Sequence, residues 1–261
     1  MIQDSEIKIH TFNRVIDKSW EISNLSAPFW RFYWNEDMSG QLKFQEQKII
    51  LKPHCFYLIP PETSCSSKGF YKAYHNFVHF SISPPYETIS NGVYEIPAEK
   101  IFLSNAKKTF FDLEKPKDEI AIMKTHMQIL SLITHCISML PDEVFVYKKV
   151  DSLSEKVIQY MNNNIHQKLE INDLCQFAHT SPQTIFRLFK KNFKNTPINY
   201  FSILKMKQAC LWLFHTDMKI ETISEKLGFS NRYHFTRIFT SFRGISPAQY
   251  RKKRGKDYSR N

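Results

Sequence analysis

The sequence predicts a two-domain α+β protein, with strands in the first half and helices in the second. Apolar side chains alternate with period two in the early segments, and they follow helical spacing after about residue 117. Charge divides the chain in the same way. Residues 1–150 carry 17 basic and 17 acidic side chains, whereas residues 151–261 carry 19 basic and 8 acidic. The formal net charge of +11 therefore lies in the second half, which indicates a neutral module joined to one that meets an anion.

The first half has the pattern of a small β-barrel or sandwich. PFWRFYWN places Trp30, Phe32 and Trp34 on one face of a strand and Arg31 and Tyr33 on the other. AYHNFVHFSIS alternates in the same way, and KIILKPHCFYLIPP holds two short apolar runs separated by a proline. Several short strands at close spacing, joined by turns, are typical of these all-β architectures.

A long apolar helix is predicted over residues 118–140. DEIAIMKTHMQILSLITHCISMLP has apolar residues at helical spacing on two faces, and Pro141 ends it. A helix that is apolar all round is buried, either against its own barrel or against another subunit.

The helical half contains an internal repeat of 50 residues. TIFRLFKKNFKNTPINY ends one copy and HFTRIFTSFRGISPAQY ends the other, which aligns Arg187 with Arg237. Upstream, Ser181 aligns with Ser230 at an offset of 49, which indicates a one-residue insertion or deletion. Two copies are too few for a solenoid, so we interpret the repeat as a duplicated small helical unit.

Each copy has the plan of a helix-turn-helix. A short helix, INDLCQFA or IETISEKLG, precedes a tight turn, and Ser181 and Ser230 are the predicted N-caps of the second helix. Gly228 suits the positive φ of such a turn, and Pro182 suits a first helical position. The second helix of this motif enters the major groove of DNA by its N-terminal part. We predict that eight outward-facing residues contact DNA: Gln183, Thr184, Phe186, Arg187, Arg232, Tyr233, His234 and Arg237.

These residue types suit recognition of double-stranded DNA. Arginine binds guanine in a bidentate manner or a phosphate, glutamine binds adenine, and an apolar ring contacts the thymine methyl group. Phe235, Ile238 and Phe239 form the predicted buried stripe of the second helix. The alternative is an ordinary surface on a packed bundle. Two copies at fixed spacing, in a region of net charge +11, favour DNA.

Residues 169–253 resemble the DNA-binding domain of the AraC/XylS family of bacterial transcription regulators. The resemblance rests on the I-x-x-I, Gly-Phe-Ser, F-x-R-x-F, G-x-S-P and Y-R elements of IETISEKLGFSNRYHFTRIFTSFRGISPAQYRK. It implies a seven-helix domain in which one long helix, PINYFSILKMKQACLWLF, joins two units that bind successive major grooves. The implied organisation is a linker at 142–152, the DNA-binding domain at 153–254 with its units at about 170–193 and 220–242, and a basic tail at 255–261.

The chain departs from the family pattern at three positions. Lys194 stands where the family usually has glycine after the first recognition helix, Ser224 replaces the usual alanine, and Lys205 stands where arginine is common. None of the three departures breaks the predicted fold, and the departure at Lys194 bears only on how that helix ends.

Residues 20–115 resemble, more weakly, the cupin-like barrel with which many such regulators sense a small molecule, and we expect a barrel with dimerisation helices over residues 1–141. An aromatic stripe on a strand is more often core than pocket. Only one face of the strand can lie inside the barrel, and we favour the tryptophan face. Residues 1–19 are interpreted as an arm that covers the pocket. The expected effector-binding residues are Trp30, Phe32, Trp34, His75, Phe77 and His79.

The sequence predicts no enzymatic site, metal or cofactor. His75 and His79 lie four residues apart on a strand, about 13 Å along it, which is too far for two ligands of one metal. There is no nucleophile–base arrangement and no glycine-rich phosphate loop. The five cysteines are scattered and are interpreted as reduced thiols, and no signal peptide or membrane span is expected, which favours the cytoplasm.

The sequence thus predicts a cytoplasmic, homodimeric, sequence-specific DNA-binding transcription regulator. The resemblance implies promoter DNA, RNA polymerase and a small-molecule effector such as a sugar as partners, residues 118–140 as the dimer interface, and activation as the more common outcome. Two alternatives are an effector-independent dimeric regulator and a cupin-type enzyme with a helical interaction domain.

Overall fold

The chain folds into two compact units, the first within residues 6–146 and the second over residues 150–254. The first is β-rich and the second is helical, so the predicted two-domain α+β class is confirmed. The computed structural model describes five stretches of the chain: residues 6–17, 21–82, 89–113, 118–146 and 150–254.

Two antiparallel sheets make up most of the first unit. The larger sheet has the strand order β1-β8-β3-β6-β9 and the smaller one has the order β2-β7-β4-β5. The two segments with predicted alternation, and the two apolar runs of KIILKPHCFYLIPP, all form strands of these sheets. The strands within the described residues are β1 Ile7–Asp17, β2 Glu21–Leu25, β3 Trp30–Asn35, β4 Gly40–Phe44, β5 Gln47–Ile50, β6 Cys55–Ile59, β7 Cys65–Gly69, β8 Ala73–Ile82 and β9 Tyr94–Pro97.

The larger sheet is covered on both faces, which explains why every residue of β3 is buried. One face packs against two helices, α1 (Lys100–Asp112) and α2 (Glu119–Ser138), in a core that includes Phe110 and Ile129. The other face packs against side chains of the smaller sheet, such as Leu42 and Cys65. The central strands therefore lie in the middle of three layers.

Residues 7–17 form strand β1, which pairs along its length with β8. This part of the predicted arm is therefore an integral strand of the larger sheet, and the interpretation of it as a cover is wrong. Residues 1–5 and 18–19 of that segment lie outside the described residues.

Helix α2 begins at the N-cap Asp118, whose side chain accepts a hydrogen bond from the backbone amide of Ala121 at 2.7 Å. Within this chain the helix is not buried all round, because four apolar side chains on it are more than half exposed, so burial against its own barrel accounts for only one of its faces. By length and composition alone α2 is also the one helix in the described part of the chain that could span a membrane, a test that core helices pass as well. The exposed side chains are Ile120, Ile122, Met123 and Met127.

The second unit contains seven α-helices within residues 150–254, as predicted. The long helix α6 lies between the two halves and buries Phe201, Met206, Cys210 and Leu213. Residues 147–149 of the predicted linker and the predicted basic tail, 255–261, lie outside the described residues. The helices are α3 Ser152–Asn163, α4 Ile171–Ala178, α5 Pro182–Phe193, α6 Pro197–His215, α7 Ile220–Lys226, α8 Arg232–Arg243 and α9 Pro247–Lys252.

Candidate nucleic-acid interface

The first helix-turn-helix is formed by α4 and α5. Helix α4 ends at His179, which adopts the left-handed conformation with φ 47°. Two residues later the Ser181 side chain accepts a hydrogen bond from the backbone amide of Thr184 at 3.3 Å, and Pro182 takes the first helical position. The predicted N-cap and the predicted proline position are thus both confirmed.

The second helix-turn-helix is formed by α7 and α8, and Gly228 supplies the left-handed residue with φ 67°. The N-cap of α8 is Asn231, whose side chain accepts from the backbone amide of His234 at 2.8 Å, so the prediction of Ser230 is wrong. Gly228 lies 49 residues after His179, whereas the two N-caps lie 50 apart. The one-residue insertion therefore lies in the turn.

Helices α5 and α8 each present a polar face and bury an apolar one. On α8, Phe235 and Phe239 are fully buried as predicted, whereas Ile238 is only half-buried. Thr184 is also half-buried, and its hydroxyl lies 3.1 Å from the Ser181 hydroxyl, so it belongs partly to the cap. The other seven predicted contact residues are exposed: Gln183, Phe186, Arg187, Arg232, Tyr233, His234 and Arg237. Tyr233 is 86% exposed, which leaves its ring available to a ligand.

Each recognition helix is anchored near its C-terminal end by a contact that the sequence did not predict. Asn192 of α5 donates to the Ser154 hydroxyl at 3.1 Å and to the carboxylate of Asp151, the N-cap of α3, at 2.5 Å. Arg243 of α8 donates through Nε to the Cys210 sulfur of α6 at 3.0 Å. These bonds hold the two helices against the rest of the domain.

An ion pair joins α7 and α8, the two helices of the second helix-turn-helix. The Arg232 guanidinium at the start of α8 donates to Glu221 in the first turn of α7. The pKa of Glu221 is lowered, first by a hydrogen bond from its own backbone amide and then by the charge of Arg232. Glu221 was not among the predicted site residues.

Lys205, one of the departures from the family pattern, is buried at the centre of the second unit. Its ammonium donates to the carbonyl oxygens of Gln167 and Leu227, each at 2.6 Å. It also lies 4.7 Å from the centre of the Phe201 ring. Burial lowers the pKa of Lys205 to about 8. This side chain ties the segment before α4 to the end of α7, and so connects the two helix-turn-helix units.

The buried ammonium predicts a pH-dependent stability. The pKa of Lys205 is about 8 in the folded chain and 10.5 in the unfolded chain, so between these values the unfolded chain binds more protons. The free energy of unfolding of the wild-type protein should therefore rise, relative to that of Lys205→Met, by about 1 kcal/mol or more from pH 8 to pH 10. Hydrogen-exchange protection of α4–α8 measures this difference. Lys207→Met is the control for removing a lysine from the same helix, and parallel pH profiles for wild type and Lys205→Met would contradict the prediction.

The end of α5 is formed without glycine. Lys194 adopts the left-handed conformation with φ 57° as the C-cap of α5, and its amide donates to the Lys190 carbonyl. Gly244 takes the same place after α8, with φ 73°. The two recognition helices therefore end in the same way, and the lysine tolerates a conformation that disfavours a side chain by about 1–2 kcal/mol.

The predicted effector-binding residues do not share one face of the sheet. Pairing of β3 with β8 places Trp30 opposite Phe80 and Tyr33 opposite Phe77. The three residues Trp30, Phe32 and Trp34 therefore pack in the core beneath α1 and α2. The three residues His75, Phe77 and His79 lie on the other face, toward the smaller sheet. The expectation that the tryptophan face lies inside the barrel is wrong, because helices cover that face.

The face toward the smaller sheet is filled by side chains. Arg31 is 1% exposed and donates to the carbonyl oxygens of Thr63 at 2.6 Å and of Leu25 at 3.3 Å. His75 lies 2.8 Å from the Asn35 amide oxygen. Aromatic rings and hydrogen-bonded polar groups thus occupy the interior between the sheets.

A cavity of about 560 Å³ lies elsewhere in the first unit, between β1, the end of α1 and α2. Its walls include Ile9, Phe12, Ile122 and His126. His10 also lines it, and burial followed by the charge of Lys8 lowers the pKa of His10 to about 4, so this imidazole is neutral near pH 7. Within the described residues, no group of three or more His, Cys, Asp or Glu side chains could hold a metal ion.

Comparisons with known proteins agree on the second unit. Residues 174–253 match the family model described as a helix-turn-helix domain. The MmsAB operon regulatory protein of Pseudomonas aeruginosa is 31% identical over 94 residues, which are 36% of this chain and 31% of that protein. The lactose operon transcription activator of Staphylococcus xylosus is 27% identical over 106 residues, 40% of this chain and 38% of that protein. The chain therefore matches about a third of the length of these relatives.

Among solved structures, ToxT from Vibrio cholerae O395 aligns with 97% of this chain and 98% of its own, with a TM-score of 0.53 and 11% identity. At this identity the likeness concerns the fold alone. It extends the similarity to the first unit, where ToxT too has a β-rich domain before the helical one.

Proposed function

Because residues 174–253 form a helix-turn-helix domain of the AraC type, we propose that the chain is a sequence-specific regulator of transcription that binds double-stranded DNA. One observation carries the proposal. Two capped recognition helices, repeated at 50 residues, each expose polar and basic side chains on their N-terminal halves. This is the part of the helix that enters the major groove in helix-turn-helix proteins.

The proposed mechanism divides the exposed side chains between bases and phosphates. Arg187 and Arg237 occupy equivalent places on α5 and α8, one turn into the helix, where a guanidinium can reach the O6 and N7 atoms of guanine. Gln183 suits adenine, and Phe186 suits a thymine methyl group. The remaining positive charge of the second half attracts the phosphate backbone and makes affinity depend on salt.

We assign a dimerisation role to the first unit. Ile120, Met123 and Met127 are each more than half exposed on α2 and follow one another at helical spacing. A second copy of the same helix would cover them, which supports a homodimer that spans two DNA sites. In this proposal the chain acts in the cytoplasm and contacts RNA polymerase at the promoter.

The dimer proposal predicts the effect of one charge on α2. Met127→Lys should raise the dimer Kd at least about tenfold, because a lysine would be desolvated at the interface. Sedimentation of the purified protein over a concentration series measures this change. Met38→Lys, in a loop of the first unit and equally exposed, should leave the dimer intact. A monomeric wild-type protein, or an unchanged Kd for Met127→Lys, would contradict the prediction.

We further propose that the first unit binds a small-molecule effector, such as a sugar, which changes how the dimer presents its DNA-binding domains. The cavity beside α2 supports this role more than the predicted tryptophan face does. A ligand there would contact the same helix that carries the proposed dimer surface. The volume of this cavity lies in the range of about 300–1,000 Å³ that is common for ligand pockets.

An effector-independent dimeric regulator is the second candidate, and the filled interior between the two sheets favours it. One experiment separates the two. A panel of sugars and aromatic acids is added to the full-length protein, and both thermal stability and operator affinity are measured. A ligand that stabilises the wild-type protein but not a Thr125→Trp variant, in which the cavity is filled, supports the effector. Ligand-independent operator binding throughout the panel supports the alternative.

A further inference from the structure

The second recognition helix carries an ion pair that has no chemical counterpart in the first helix-turn-helix. Arg232 is the first residue of α8, and its guanidinium donates to the Glu221 carboxylate in the first turn of α7. The side chains are 51% and 49% exposed. The pair therefore lies at the protein surface, beside the exposed Tyr233 and His234, where the helix would meet DNA.

A carboxylate at a surface that meets phosphates requires an explanation, because it repels them. The free backbone amides at the start of α7 carry partial positive charge, which favours the Glu221 carboxylate. Arg232, by contrast, places a positive charge at the start of α8, where the helix dipole disfavours it, and the first turn of α8 contains no acidic residue. Glu221 offsets this cost from the neighbouring helix.

The internal repeat provides a comparison within the same chain. The positions equivalent to Glu221 and Arg232 are occupied by Asn172 and Pro182, and neither of these side chains carries a charge. The two helix-turn-helix motifs thus differ in residue type at both positions of the ion pair. An arginine at the start of the recognition helix occurs with an acid at the second position of the preceding helix, and a proline occurs with an asparagine at that position.

We propose that Glu221 is a positioning residue for Arg232: it holds the guanidinium in one orientation, so that Arg232 contacts a base edge instead of the nearest phosphate. The proposal rests on the DNA-binding function proposed above. A long arginine side chain loses rotamer freedom when it binds, and an arginine that is already held loses less. Glu221 thereby increases sequence discrimination and reduces non-specific affinity.

The test compares Glu221→Gln with wild type in the full-length protein. The operator is the sequence that the wild-type protein selects from random duplex DNA. Binding is measured to this operator, to its single-base-pair variants and to random duplex DNA, over a salt series. Glu221→Gln should reduce discrimination about fivefold at one base pair only, and it should strengthen binding to random DNA. If the released arginine takes a phosphate, the slope of log affinity against log salt should steepen by about 1.

Two further variants make the result specific. Glu225→Gln removes the same charge from an exposed position on the same helix, and it should leave discrimination unchanged at every base pair. Arg232→Gln identifies the base pair that Arg232 contacts. In that background Glu221→Gln should have no further effect on discrimination, because the group that it positions is absent.

Three results would overturn the proposal. If Glu221→Gln strengthens binding to all sequences equally, Glu221 only competes with DNA for Arg232. A uniform loss of affinity together with a lower melting temperature would mean a structural role. Loss of discrimination in the Arg232→Gln background would separate the two residues. A wild-type protein without any sequence preference would instead refute the DNA-binding function on which the proposal rests.

Discussion

Gly228→Ala should destabilise the second helix-turn-helix by far more than Gly244→Ala does. A Cβ at position 228 would lie 2.5 Å from the His166 carbonyl oxygen and 3.1 Å from the Gln167 carbonyl carbon. These atoms are backbone and cannot rotate away. The backbone at Gly228 also has φ 67°, which costs an alanine about 1–2 kcal/mol. Displacing the backbone of residues 166–167 adds about 1–3 kcal/mol. The total loss of stability is then about 2–5 kcal/mol.

Gly244→Ala is the matched control for this prediction. Gly244 has φ 73°, but no atom lies within 4 Å of the position that its Cβ would take. Its substitution should therefore cost only the backbone term of about 1–2 kcal/mol. Hydrogen-exchange protection of α7 and α8 in the full-length protein measures both variants. Equal losses at the two positions would show that the approach of the 166–167 backbone to Gly228 contributes nothing to stability.

Arg237→Ala should weaken operator binding by about 1–3 kcal/mol and relax the base preference at one position, if the guanidinium contacts a base. Arg187→Ala should do the same at a position about one helical turn of DNA, or 10 base pairs, away, because the two residues occupy equivalent places on α5 and α8. The double variant should lose both preferences. Quantitative binding to the operator and its single-base-pair variants measures these effects.

Lys156→Ala provides the control for the loss of one charge. Lys156 is exposed on α3, outside both recognition helices, and its removal should change affinity equally for every sequence. A uniform loss for Arg237→Ala would instead identify Arg237 as a phosphate contact. Unchanged binding for both arginine variants would contradict the assignment of α5 and α8 as the recognition helices.

The sequence predicted the helical half well because several local signals agree there. Phe235 and Phe239 follow helical spacing, and Ser181 with Pro182 marks a helix start on chemistry alone. The N-cap of α8 was missed by one residue because Ser230 and Asn231 are both good caps. Only the position of the insertion decides between them, and alignment of the repeat does not locate it within the turn.

The first half was harder to predict in detail, for a physical reason. Strand alternation identifies the two faces of β3, but it does not say what covers each of them. Here helices bury the face of Trp30 and Trp34, and the second sheet buries the face of Arg31, so both faces are interior. A buried arginine held by carbonyl oxygens runs against the usual expectation that charged residues are exposed.

The contacts that fix the recognition helices were also beyond the sequence. Asn192 and Asp151 lie 41 residues apart, and nothing in their local pattern pairs them. Lys205 is an ordinary helical lysine by sequence, and only the packing of α6 shows that its ammonium is buried between two carbonyl oxygens. Local pattern thus predicts the elements, whereas the long-range polar contacts depend on how the helices pack.

Selection of bound sequences from random duplex DNA by the purified full-length protein, over a salt series, tests the proposed function most directly. Two recognition helices predict an enriched motif of two blocks about one helical turn, or 10 base pairs, apart, with affinity that falls steeply as salt rises. The selected motif then serves as the operator for the Arg237, Arg187 and Glu221 variants. Salt-sensitive binding without any enriched sequence would contradict the proposal, because the basic half would then bind phosphates alone.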